Sequence, residues 1–476
     1  MSLPVITVTQ MRDWEQASWA AGCIEADVIR RVGEAVAKRA LSLTRTDDAI
    51  LILAGKGHNG DDARAAQEHL AGRRVGLLNA DSPQAELEKL DSILAQRPAL
   101  VIDGLFGIGL NRPLDDAWQE FIKRVNRSKL AVLSVDVPSG LNADTGETFG
   151  AAIEASVTLT VGAPKIGMLN QVAWSFVGRL EVASDTGLIP CPHTSELQWT
   201  VTDDFRDHPP RRSVFSHKGD FGHVGILAGS LGWHGAAVLA ARGAQRARPG
   251  LTSLVTHENA YLPVASQLQS VMVSEWSADF RIGDEQTAWL IGPGLAARQL
   301  PEEMKLLTRK TWRDATVPVI VDASAVDWLV HGPTQKGVTR VMTPHPGEAA
   351  RLLRMTTQKL QSDRLSAVRE LSRLHGDCWV VLKGHQTLIG RSSGPVFVNP
   401  TGNPHLAQGG SGDLLAGYMA GLVAQRPTTH HDDPLPVRFA VWEHGAAADR
   451  LQSVQRNWTV EDLSVEIGNI RKTGTH

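Results

Sequence analysis

The chain has 476 residues, 42% of them hydrophobic, and 48 basic against 51 acidic side chains leave a formal net charge of −3. That is enough for two or three domains with full cores, and the near balance gives no global attraction to nucleic acid or an anionic membrane. No apolar run approaches the ~18 residues of a membrane span, and Cys23, Cys191 and Cys378 make neither a CxxC pair nor a disulfide framework. The start lacks the basic stretch and apolar core of a signal peptide. These features point to a cytoplasmic α/β enzyme with no nucleic-acid or membrane partner.

Taken in chain order, Thr9 to Leu43 reads as one or two amphipathic helices. Short apolar strand patterns follow at Ala49 to Ala54, Val75 to Leu78, Leu100 to Ile102, Ala131 to Val135 and Val157 to Val161. Helical patterns lie between them, at Ala63 to Ala71 and Asp115 to Val125. This alternation implies a parallel, doubly wound, Rossmann-like sheet. After about Asp185 a charged, proline-rich stretch breaks the pattern and reads as a connection. A second α/β series then runs through strands at His223 to Ala228, Leu251 to Val255, Trp289 to Ile291, Val317 to Val321, Arg340 to Met342 and Cys378 to Leu382. Helices are expected at Ala236 to Arg246 and Arg364 to Leu374. Two α/β domains are therefore expected, 1–205 and 206–476.

Four segments at strand ends carry chemistry in the first half: GKGHNGDDA (Gly55 to Ala63), VIDGLFGIGLNRP (Val101 to Pro113), SVDVPSGLNADTG (Ser134 to Gly146) and VGAPKIG (Val161 to Gly167). A glycine loop entering a helix offers N–H donors to phosphate. In an open parallel sheet, the loops after the strands converge on one crevice, so Asn59, Asp103 and Asp136 are expected to meet there. Their oxygens, with the Ser139 hydroxyl, suit a hard cation. Either aspartate alone reads better as a loop cap; the four segments in order favour a shared site.

The second half offers HKGDFG, IGPGL, VDAS, TPHPGEAARLL, VLKG and GNPHLAQGGSGDLLAG. Glycines 409, 410 and 412 precede an apolar helical run, and Asp413 stands at the helix start. Such a loop can stabilise an anion. The aspartate can take a proton from a substrate hydroxyl, or simply cap the helix. The run His430-His431-Asp432-Asp433 reads as a solvated loop, and His444 as a polar core residue.

Residues 5–190 resemble the YjeF N-terminal domain of NAD(P)H-hydrate epimerases, whose pattern is GxGNNGGDG, VDAxxGxGL and DxPSGLxxxTG. The resemblance implies that Asn59, Asp103 and Ser139 bind K⁺. It implies that His58, Asn59, Gly60, Asp61 and Asp62 hold the hydrated dinucleotide, together with Gly107, Ile108, Gly109, Leu110, Asn111, Arg112 and Pro113 and with Asp136. This chain departs from the first motif: His58 replaces an Asn, and Asp61 and Ala63 each replace a Gly. A Cβ at a left-handed glycine position, or a carboxylate facing the phosphates, would weaken that site.

Residues 206–476 resemble ribokinase-like ADP/ATP-dependent NAD(P)H-hydrate dehydratases. The match implies that Ala236, Gly294, His345 and Asp413 contact the hydrate, with Asp413 as the base. It implies that Lys383, Gly384, His385, Gln386, Thr387 and Gly412 contact ADP or ATP. Gly409, Gly410, Ser411 and Gly412 would form the anion hole, with Mg²⁺ as cofactor. The implied function is nicotinamide nucleotide repair: epimerisation of R and S NAD(P)H hydrates and nucleotide-driven dehydration of the S form. Two alternatives stay open: a dehydratase fused to a non-catalytic first domain, and a kinase of a small alcohol. The sequence is compatible with a homo-oligomer without fixing one.

Overall fold

The computed structural model describes residues 2–283, 285–425 and 432–469. The chain divides into one unit spanning Leu3–Trp199 and a second of residues 200–469 with Ser2. The first unit contains β1 (Leu3–Pro4), β2 (Ala49–Ala54), β3 (Arg74–Asn79), β4 (Leu100–Gly104), β5 (Val132–Val135), β6 (Val157–Val161), β7 (Arg179–Ala183) and β8 (Leu197–Trp199). Strands β2 to β7 form a parallel sheet in the order β3-β2-β4-β5-β6-β7. The short β1 pairs antiparallel with β8.

Strand β2 is apolar throughout because both of its faces are covered. Ile50, Ile52 and Ala54 pack on one side with Val32, Val36 and Ala40 of the helix Glu25–Leu43. Leu51 and Leu53 pack on the other with Leu87 and Leu90 of Pro83–Ala95 and Phe121 of Asp116–Arg127. The chain passes from β2 to β3 on one side and returns to β4 on the other, so the order reverses between β2 and β4. That reversal opens a crevice beyond the carboxyl ends of these strands.

The second unit contains β9 (His223–Leu227), β10 (Leu251–Thr256), β11 (Met272–Glu275), β12 (Ala288–Ile291), β13 (Val319–Val321), β14 (Arg340–Met342), β15 (Trp379–Leu382), β16 (Leu388–Gly390) and β17 (Val396–Val398). Their order is β17-β16-β15-β14-β13-β12-β9-β10-β11. From β15 to β11 the pairs are parallel, and β16 and β17 add antiparallel pairs. Here the order reverses between β9 and β12. The helices His234–Ala247 and Ser411–Val423 share a core with Val224, Ile226 and Leu290. They approach backbone to backbone: a Cβ on Gly243 would lie 2.2 Å from the Leu414 carbonyl oxygen, and one on Gly417 1.8 Å from that of Ala240. Glycine at these positions sets where the N-terminus of Ser411–Val423 falls.

The structure departs from the expected elements in three ways. The first-motif helix spans His58–Ala66 and ends in a 3₁₀ turn, Gln67–His69, instead of starting at Ala63. Gly57 is extended (φ −96°, ψ −176°) and caps it, and Asp61 in the first turn complements the helix dipole. Gly412 lies inside its helix, which begins at Ser411 with Gly410 as cap at φ +91°. Strands β1, β7, β11 and β17 were not expected; β7 and β11 are edge strands carrying charged residues, and β1 and β17 are only two and three residues long. His430 and His431 fall outside the described residues, and Asp432 pairs with Arg391 and accepts from the Trp379 indole. No helix among the described residues is long and apolar enough to cross a membrane.

Candidate active sites

In the first unit the crevice beside β2 and β4 is a cavity of about 680 Å³. Its lining includes Lys56, His58, Asn59 and Asp62 after β2, Gly107 to Arg112 after β4, and Asp136 after β5. Arg12 and Glu15 line it from the helix Val8–Ala20. Asp103 is fully buried at the end of β4. Its carboxylate accepts from Ser139 Oγ (2.6 Å) and N (3.0 Å), from Ser134 Oγ (2.8 Å) and from Leu105 N (3.3 Å). Burial pushes its pKa up, and these donors oppose the shift. The structure thus brings Asp103 and Ser139 into direct contact. Asn59 lies beside Gly107, with both polar atoms of its amide buried and without a hydrogen-bond partner. An orphaned carbonyl oxygen, a buried carboxylate and a hydroxyl form a donor set that fits a monovalent hard cation.

Asp136 holds a left-handed φ of +62°, which turns its carboxylate back over the sheet. There it accepts from the fully buried Lys165 Nζ (2.5 Å), Thr160 Oγ1 (3.2 Å) and Val161 N (3.1 Å). Lys165 belongs to the VGAPKIG segment, where nothing local marks it as the partner of Asp136. Glu15 was also unforeseen, because only the fold lays the first helix across the cavity. Burial raises the Glu15 pKa, and Asp136 adds to the effect.

In the second unit, Ala236 and Gly294 sit together at the reversal point between β9 and β12. Gly294 has φ +66°, and a Cβ there would lie 2.9 Å from that of Ala236. Ser230 fixes this turn by donating to the Gly294 carbonyl (2.6 Å). His345 caps the helix Pro346–Leu352: its Nδ1 accepts from Gly347 N, and the Glu348 carboxylate accepts from His345 N (2.8 Å). Lys383, at the end of β15, reaches Asp322 at the end of β13 (2.8 Å), and Thr343 donates to the same oxygen (2.5 Å). A Cβ on Gly412 would meet Lys383 Nζ at 3.4 Å and Asp322 at 4.0 Å, so the helix N-terminus, the ammonium and the carboxylate converge.

Asp413 occupies the first turn of that helix and is not its cap, since Gly410 takes that position. Burial raises its pKa to about 6; Asp322 and Glu348 add to the rise and Lys383 opposes it. Burial alone would pull the Lys383 ammonium down, but Asp322 and Glu348 outweigh it and hold its pKa up. The 383–387 loop is anchored by the buried Arg364, which donates to the carbonyls of His385 (2.6 Å) and Leu382 (3.3 Å). Gln386 keeps a buried amide nitrogen without a partner. His444 is buried beneath the glycine loop, bonded to the Ser411 main chain, and burial lowers its pKa to about 4. Asp322 and Glu348 stand within the VDAS and TPHPGEAARLL segments and Arg364 opens an expected helix, but none of the three shows its role locally; only the fold joins them.

Among the described residues, no three His, Cys, Asp or Glu side chains cluster to hold a metal by themselves. A Mg²⁺ carried by phosphates needs only one or two carboxylates, and Asp322 and Glu348 fit that requirement.

Residues 224–470 match the family model described as NAD(P)H-hydrate dehydratase, and residues 74–167 match that of the YjeF-related protein N-terminus. A curated relative, the bifunctional NAD(P)H-hydrate repair enzyme Nnr of Coxiella burnetii, is 33% identical over 469 residues, covering 93% of each chain. The chain belongs to the bifunctional NAD(P)H-hydrate repair enzyme family. Its relative from Escherichia coli K12 is 30% identical, over 92% of this chain and 88% of that one. The solved ADP/ATP-dependent NAD(P)H-hydrate dehydratase from Bacillus subtilis, co-crystallised with ATP and Mg²⁺, is 31% identical. It covers 56% of this chain and 95% of its own, with a TM-score of 0.50. The fold is thus α/β, with an N-terminal YjeF-type domain and a ribokinase-like C-terminal domain.

The altered first motif takes on a physical meaning within this repair family. Asp61 and Ala63 lie in a regular helix with no left-handed φ, so replacing glycine there costs no backbone strain. The Asp61 carboxylate pairs with Arg64 (2.8 Å), away from the cavity lining. The positions of this motif that tolerate no side chain are Gly55 and Gly60, where a Cβ would lie 2.0 Å from the Leu105 carbonyl oxygen and 2.1 Å from that of Gly55.

Proposed function

We propose that the chain is a cytoplasmic nicotinamide-repair enzyme with its two activities divided at about residue 205. Residues 1–205 interconvert the R and S hydrates of NADH or NADPH, and residues 206–476 return the S hydrate to the reduced dinucleotide with ADP or ATP. The observation that carries this reading is the meeting of Asp413, Lys383 and Asp322 at the N-terminus of Ser411–Val423.

In the dehydratase, the C6 hydroxyl of the S hydrate gives its proton to Asp413 as its oxygen takes the phosphoryl group. A positioned base of this kind is worth roughly 10²–10⁴-fold in rate. Main-chain donors of Gly409, Gly410, Ser411 and Gly412, with Lys383, face the charge of the transferred group. Lys383, Gly384, His385, Gln386 and Thr387 hold the adenine nucleotide, on a loop that Arg364 keeps in place. Ala236, Gly294 and His345 contact the hydrate. Mg²⁺, held through Asp322 and Glu348, would offset charge on the phosphates. Loss of phosphate from C6 with a proton from C5 restores the C5–C6 double bond. In the epimerase, Asn59, Asp103 and Ser139 would hold K⁺, whose charge would neutralise the buried carboxylate. The cavity above them takes the hydrate.

The test is Asp413→Asn in the full-length protein. Dehydration of the S hydrate should fall at least about 100-fold while ADP or ATP still binds. Near-normal turnover would remove Asp413 from the base role. A stable phosphorylated product would instead identify a kinase.

A further inference from the structure

The half-buried Asp62 is a carboxyl group of the first cavity with no cation paired to it among the described residues. It lies in the helix His58–Ala66, lines the cavity, and has no hydrogen bond or ion pair among the described residues. Its neighbour Asp61 is engaged by Arg64. The one fully buried ammonium nearby, Lys165, directs its protons to Asp136, Thr160 Oγ1 and the Val161 carbonyl, at 2.5, 3.0 and 2.9 Å. Lys165 is therefore a positioning group for Asp136 and has no proton left for Asp62. Glu15 and Asp136 face the same space.

We propose that Asp62 is the proton donor of the first site, giving its proton to the C6 hydroxyl of the bound hydrate and taking one back after inversion. This rests on the epimerase reading of residues 1–205. Asp62 gives its proton to the hydroxyl oxygen, and the C6–O bond breaks with its electron pair leaving in water. The N1 lone pair forms the C6=N1 bond, so the ring carries one positive charge. Water then attacks the opposite face of C6 and returns a proton to the Asp62 carboxylate. Proton and water balance over the cycle, and no oxidant or reductant is required. The same surroundings suit both halves of the step. Burial, with the negative charges of Asp136, Asp61 and Glu15, raises the Asp62 pKa to about 8 and keeps the donor protonated near neutrality. The Asp136 carboxylate faces the ring cation once it forms. A protonated carboxyl and an ionised one with divided roles in one site is a known way to run acid chemistry at neutral pH.

The experiment uses full-length protein and purified R hydrate of NADH, without ADP or ATP so that the second activity is silent. Conversion to the S epimer is followed by chromatography against a protein-free control, with NADH binding and melting temperature measured in parallel. Wild type should exceed the control. Asp62→Asn should lose at least about 100-fold in kcat while binding NADH within about threefold of wild type, and Asp62→Glu should recover part of the rate. The proposal is overturned if Asp62→Asn keeps kcat within about threefold, or if both variants lose rate only in step with NADH binding or melting. A wild-type rate equal to the control would overturn the epimerase reading as well as the role of Asp62.

Discussion

At the scale of single residues, the two sites share one device: a carboxyl group raised by burial and by a neighbouring aspartate that is itself paired with a lysine. In the second unit the pair is Asp413 with Lys383–Asp322; in the first it is Asp62 with Lys165–Asp136. The raised values have opposite consequences because the roles differ. Asp413 must be ionised to accept a proton. With a pKa of about 6 it is competent at pH 7 and is lost as pH falls. The kcat/KM of dehydration, which reports the free enzyme, should therefore drop about tenfold per pH unit below about pH 6. A flat profile down to pH 5, measured at constant ionic strength, would exclude Asp413 as the group that titrates in turnover. GGSGD and DVPSG were legible in the sequence because glycine spacing and a polar residue at a strand end are local signals. The roles of Lys165, Asp322 and Arg364 were not, since what each does depends on a partner far away in the chain that only the folded sheet brings near.

At the scale of elements, most strands buried on both faces were readable as short apolar runs; β17 (VFV) is buried too, but three residues make no such run. The edge strands β7 (RLEVA) and β11 (MVSE) were not readable, because an edge strand keeps charges and loses that signature. Helix starts were misjudged for a related reason. The sequence His58-Asn59-Gly60 looks like loop, yet Gly60 is needed for close approach to Gly55 inside a helical turn. The packing of His234–Ala247 on Ser411–Val423 makes a prediction of its own. Gly417→Ala would push a methyl into the Ala240 carbonyl. Overpacking of this kind costs about 1–3 kcal/mol and would shift the N-terminus bearing Asp413. A lower melting temperature together with reduced dehydration is expected. An unchanged melting temperature would mean that the two helices separate without cost.

At the scale of the whole molecule, each unit places its chemistry beyond the carboxyl ends of its parallel strands: beside the reversal between β2 and β4 in the first, and in the second from the reversal between β9 and β12, where Ala236 and Gly294 sit, across to Asp322 and Lys383 after β13 and β15. This common rule is why strand-helix alternation could foretell both the architecture and the ends of the strands that matter. Composition could not foretell whether the changed loop Gly55 to Ala63 spares the first activity, since that depends on which way Asp61 points. With Asp61 on Arg64, on the side away from the cavity, the first site retains its polar set. The most direct measurement supplies full-length protein with mixed R and S hydrates of NADH, K⁺, Mg²⁺ and ADP or ATP. Both epimers are followed against a control for spontaneous epimerisation. Loss of both epimers faster than that control, with recovery of NADH, is the predicted result. Loss of the S form alone, with the R form decaying at the control rate, would contradict it.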